Sequence, residues 1–138
     1  MISPTLWLRL EGAAVFAAGL FAYFHVDGGW LLLLLILLAP DLSMLGYLAG
    51  SRPGAAAYNV VHSYLLPIAL LTAAWIAQQH LLLLCALIWI VHIGMDRMLG
   101  YGLKLESGFR HTHLGTIGRP GAEGANDRSN AAPVNPHP

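Results

Sequence analysis

This chain is poor in charge. Only 10% of its 138 residues are Asp, Glu, Lys or Arg, against about 25% in a typical soluble domain. Hydrophobic residues make up 57%, so an ordinary soluble domain is excluded. No strong charge of either sign is present, because seven basic residues balance seven acidic ones. No basic patch points to nucleic acid. Cysteine is nearly absent too. The one cysteine, Cys85, lies in an apolar run, and it can make no intrachain disulfide. It reads as a small packed hydrophobe. The N-terminal apolar stretch contains Glu11 and lacks a clear small-residue cleavage site after a short apolar core, so it reads as a retained first span. The length suits one domain.

What is present is apolar sequence in blocks. A helix crossing a bilayer needs about 20 mostly apolar residues. Four windows qualify, at about Leu6–Phe24, Trp30–Ala49, Ala56–Ala77 and Leu81–Leu99. They are separated by the turn at His25–Gly29, the break at Gly50–Gly54 and the turn at Gln78–His80. Short connections make neighbours antiparallel. The expected fold is therefore all-α, an integral-membrane antiparallel four-helix bundle. Small residues at Gly12, Ala13, Ala14, Ala17, Ala18 and Gly19 prepare the first helix for close packing.

The first and third loops contain no Lys or Arg. Arg9, Arg52, Arg97, Lys104, Arg110, Arg119 and Arg128 all belong to the other side, which the positive-inside rule makes cytoplasmic. Both termini are expected inside. Residues 1–118 form the transmembrane domain with a His-containing cytoplasmic segment, and residues 119–138, rich in Gly, Pro, Asn and Ala, read as a disordered tail.

Ionisable residues interrupt these spans: Glu11, Asp41, His62, His92 and Asp96. Charge inside hydrocarbon is expensive, so such groups usually face the bundle interior and serve a function. Counting outward from the turns puts all five in the cytoplasmic half, in two layers. Asp41 and His92 are the deeper pair. Glu11, His62 and Asp96 lie about 5–6 Å shallower, from a rise of about 1.5 Å per residue. His92 and Asp96 share a helix face, and Tyr58, Asn59 and His62 share another. Pro40 and Pro67 cannot donate to the carbonyls of Ile36 and Ser63, which suits a polar cavity.

Imidazoles and carboxylates from several helices make a ligand set for a divalent zinc, iron or manganese ion. The Glu-x-x-His pairs of soluble di-metal bundles are absent. Downstream, His111 and His113 are two residues apart, so in an extended segment both rings point one way, to add ligands or cap the cavity. For a lone intramembrane His, a packing role bonded to a carbonyl is the better reading. For Asp41 or Asp96 alone, a structural bond is as good as a ligand role. Their joint occurrence at similar depth raises the metal reading to equal standing. His25 and His80 fall in outer turns and His137 in the tail. Arg97 and Lys104 suit interfacial anchoring or an anionic headgroup or phosphate.

The strings Pro40–Tyr47, Tyr58–Tyr64, His92–Lys104, Gly108-Phe109 and Thr112–Gly115 resemble small bacterial integral-membrane proteins of domain-of-unknown-function family 4260. The likeness covers about residues 6–118. It implies a bacterial inner-membrane location and no established activity. It also implies that Asp41, His62, His92, Asp96 and His113 belong to the family's motifs.

Three functions compete. The first is a metalloprotein, extending to a metal-dependent hydrolase acting on a lipid-like or anionic small molecule. Its ligands are Asp41, His62, His92 and Asp96, with Glu11 as ligand or general base and His111 and His113 completing or covering the site. The second is a non-enzymatic proton, ion or small-molecule carrier element. The third is a haem protein using His62 and His92. Oligomeric state is open.

Overall fold

The computed structural model describes residues 3–105, 108–112 and 115–116. His113 and the expected tail lie outside the described residues. Helix α1 (Pro4–His25) is capped by Ser3, whose Oγ accepts the Leu6 amide at 3.2 Å. The cap and Pro4 supply what a helix start needs. Helix α2 (Trp30–Ile36) is cut short. Its last residue is Ile36, the carbonyl that Pro40 cannot serve. The chain continues as a 3-10 helix over Ala39–Ala49.

Eleven residues is long for a 3-10 helix, a form that seldom exceeds three or four. Its three-residue turn aligns Leu42, Leu45 and Leu48, which are 67%, 62% and 87% exposed. The next line, Pro40, Ser43 and Gly46, faces the protein. A Cβ at Gly46 would lie 3.0 Å from that of Ala57. A helix with leucines in one file facing outward and small residues in another facing the protein favours three residues per turn.

Helix α3 (Ser51–Val61) follows Gly50, whose φ of 120° suits only glycine. The expected break at Gly50–Gly54 thus narrows to Gly50, with Pro53 accommodated in the first turn of α3. The third span is itself broken at His62–Tyr64, before helix α4 (Leu65–Ile76). Three carbonyls at this break take side-chain donors. Val60 O accepts Ser63 Oγ at 3.1 Å, Val61 O accepts Trp89 Nε1 at 2.7 Å, and His62 O accepts Arg97 Nη2 at 3.3 Å. In an apolar surrounding a carbonyl without a helical partner needs such donors.

Helix α5 (His80–Leu99) ends at Gly100, with φ of 93°. It is the most enclosed helix, burying a run from Leu83 to Gly94 against α1 and α4. The α1 contact relies on missing side chains. A Cβ at Gly12 would lie 2.5 Å from Arg97 Cβ, one at Gly19 would lie 2.8 Å from Val91 Cγ2, and one at Gly94 would lie 2.7 Å from the Phe16 amide. Residue numbers rise on α1 as they fall on α5, so this pair runs in opposite directions.

The four stretches Pro4–His25, Trp30–Ala49, Ser51–Ile76 and His80–Leu99 are each long and apolar enough to cross a membrane. After α5 comes a small antiparallel sheet, absent from the all-α expectation. Strand β2 (Gly108–Thr112) pairs with β1 (Lys104–Leu105) and β3 (Gly115–Thr116). The first two strands pack on α3.

Candidate metal centre

Four of the ionisable residues converge: Asp41 from the 3-10 helix, His62 from the break after α3, and His92 and Asp96 from α5. One donor atom from each lies within 4.8 Å of all the others. His62 Nε2 is 3.1 Å from His92 Nε2, 3.5 Å from Asp41 Oδ1 and 3.6 Å from Asp96 Oδ2. His92 Nε2 is 3.6 Å from Asp41 Oδ1 and 3.8 Å from Asp96 Oδ2. Four ligands around a tetrahedral zinc at about 2.0–2.1 Å would stand about 3.3–3.4 Å apart. The observed spacings straddle that value.

The two expected layers meet through their side chains: His92 and Asp96 stay one turn apart on α5, yet each presents a donor atom to the same centre. Both breaks in helical register lie at the site. The 3-10 segment rises about 2.0 Å per residue rather than 1.5 Å. His62 sits where α3 has already ended. Depth counted along uninterrupted α-helices takes neither break into account.

Tyr58 organises the centre. Its carbonyl lies 3.0 Å from His62 Nδ1. A carbonyl only accepts, so Nδ1 carries the proton, and neutral His62 presents a lone pair on Nε2. The Tyr58 ring stacks on the His62 ring, with centroids 3.7 Å apart and planes 10° from parallel. Its hydroxyl donates to Asp96 Oδ2 at 3.1 Å. One residue thus fixes the tautomer and plane of one donor and the orientation of another, as groups behind metal ligands do. The sequence showed only that Tyr58 and His62 share a face; the contact with Asp96 crosses between helices.

The segment after α5 closes one side. Asn59 Nδ2 donates to Lys104 O at 2.8 Å, and Lys104 N donates to Asn59 Oδ1 at 2.7 Å. This paired bond seats Lys104, only 4% exposed, with its Nζ 5.1 Å from the centre of the Tyr58 ring. Burial pushes the Lys104 ammonium below its ordinary lysine range, while the Asp96 and Asp41 charges oppose that shift. The fourfold group is enclosed elsewhere as well. The side chains of His92, His62 and Asp96 are 0%, 3% and 14% exposed, and only Asp41, at 39%, opens outward.

Glu11 stands apart from this group. It is exposed on α1 and is not one of the converging donors. Its neighbour Gly12 occupies the α5 contact, so Glu11 is turned about 100° away from that face. His111 lies in β2, paired with Thr116, and His113 lies outside the described residues.

Fold and site together define a class: a chain with four helical stretches able to span a membrane and a buried His/Asp group able to hold a metal ion. Within that class, the chain belongs to the family described as Domain of unknown function (DUF4260), whose model matches residues 5–117. No curated protein and no solved structure matches it.

Proposed function

We propose that this chain is an integral-membrane metalloprotein in a bacterial inner membrane. Its four spans form an antiparallel bundle with both termini cytoplasmic, the side marked by all seven basic residues. Asp41, His62, His92 and Asp96 hold a divalent zinc, iron or manganese ion.

One observation carries this reading: the 3.1 Å approach of the two imidazole Nε2 atoms, with the His62 lone pair pointing inward. Without a cation, His92 must donate a proton there, and its fully buried Nδ1, which has no hydrogen-bond partner among the described residues, becomes a buried acceptor. With a cation, both nitrogens and both carboxylates are ligands, a donor set that suits these metals. Haem fits less well. Two axial nitrogens at about 2.0 Å would be about 4 Å apart, with the macrocycle between them. Against a transmembrane relay, Tyr23, Leu33, Ala74, Leu83, Leu84, Leu87 and Ile88 form a hydrophobic cluster in the outer half.

The chemistry such an ion supplies is activation of a bound water for hydrolysis. Four protein ligands close a tetrahedral zinc site, whereas six-coordinate iron or manganese keeps two positions for water and substrate. Asp41, the most exposed donor, marks the approach for a lipid-like or anionic small molecule.

Elemental analysis of detergent-purified protein tests the reading, with about one metal ion per chain expected. A metal-free chain that binds none of the three ions on dialysis would overturn it. Tyr58→Phe keeps the stacking and removes the bond to Asp96. It is expected to weaken metal affinity by about 10–100-fold, read by competition with a chelator.

A further inference from the structure

Two cationic side chains, Lys104 and Arg97, contact residues of the centre. Lys104 is buried against Tyr58, and its charge acts on both Asp96 and Asp41. Arg97 is fixed through Nη2 on the His62 carbonyl, while its Nη1 is buried and has no hydrogen-bond partner among the described residues. A guanidinium N–H in that state lacks an acceptor, and burying it so costs free energy. In the metal-loaded centre, Asp41 and Asp96 balance the divalent ion. The Arg97 charge is then additional to that balance. Among the nearby acidic residues, Glu11 on α1 is exposed and is not part of the buried group.

We propose that the centre takes an anionic phosphoryl group as its exogenous ligand, with one oxygen on the metal and another accepting from Arg97. This rests on the metal reading above. Arg97 is the suited residue, because a guanidinium matches phosphoryl oxygens through paired N–H donors and keeps its charge when buried. Lys104 adds charge without the same directionality. Asp41 is the open side through which the group reaches the ion. A phospholipid headgroup and a soluble phosphate ester share this chemistry.

The test uses the full-length chain in detergent, loaded with cobalt as a spectroscopic stand-in, and inorganic phosphate as the probe. Phosphate is expected to change the visible spectrum saturably. Arg97→Gln should retain stoichiometric cobalt and bind phosphate about tenfold more weakly or worse. Arg97→Lys should recover part of that loss. A wild-type spectrum indifferent to phosphate overturns the proposal, as does an Arg97→Gln variant that binds phosphate as wild type does. Failure to load any metal would instead sink the metal reading, so the two failures are distinguishable. Nanodiscs separate the sources. Competition by phosphatidic acid, absent with phosphatidylcholine alone, assigns the site to a headgroup. Phosphate binding unaffected by either lipid assigns it to a soluble ester.

Discussion

Gly94→Leu is expected to separate α1 from α5 and leave the chain poorly folded in detergent. A Cβ at Gly94 would stand 2.7 Å from the Phe16 amide nitrogen, 3.0 Å from its Cα and 3.1 Å from the Gly12 carbonyl. All three are backbone atoms, which cannot rotate aside as a side chain can. Relief requires α1 to move outward along its length. Between membrane helices there is no hydrophobic drive, so close van der Waals contact is what such a movement forfeits. Overpacking a core typically costs about 1–3 kcal/mol, and a clash with backbone belongs at the upper end. Gly94 also lies between His92 and Asp96, so metal retention should fall with stability. Gly29→Ala is the control. Nothing lies within 4 Å of a Cβ there, and its φ of −92° is open to alanine. Thermal unfolding followed by circular dichroism should show a large loss for Gly94→Leu and little change for Gly29→Ala. Equal midpoints for Gly94→Leu and wild type would contradict the close helix contact.

His92→Ala is expected to remove bound metal with the helices intact. Structural zinc in small domains is held by about 10–16 kcal/mol. Shared over four ligands, one imidazole accounts for about 2.5–4 kcal/mol, or about 70- to 850-fold in affinity. His92 is fully buried and its Nε2 faces each of the other donors, so no exposed residue can replace it without rearrangement. His80→Ala is the matched control, because His80 lies at the exposed start of α5. Metal content after gel filtration should drop for His92→Ala and hold for His80→Ala. Equal metal content in the two variants would remove the centre as the binding site.

The donor residues were legible because their types contradict their surroundings. An Asp or His in a run of leucines needs a partner, and Asp41, His62, His92 and Asp96 are partners in space. Glu11 met the same criterion and stands apart. Sequence gives its depth, but its direction around α1 depends on which face Gly12, Gly19 and Phe16 commit to α5. The prolines were legible as donors lost, at Ile36 and Ser63. The response of the chain was not. At Pro40 it tightened into a 3-10 helix, and the repeat Leu42, Leu45, Leu48 was the available signal. At Pro67 it broke, with Trp89 and Arg97 reaching from α5 to carbonyls near the break.

The amino-acid sequence by itself determined four apolar stretches, their separation by short turns and the residues able to act as ligands. These follow from composition and from the cost of charge in hydrocarbon, which act locally along the chain. Only the tertiary structure decided that donors from both expected layers meet at one centre, that Tyr58 orients both His62 and Asp96, and that Arg97 bonds the carbonyl of His62. Those outcomes depend on helix register and on contacts between residues 30 or more positions apart. No local pattern encodes them, because each arises only when broken helices pack against α5.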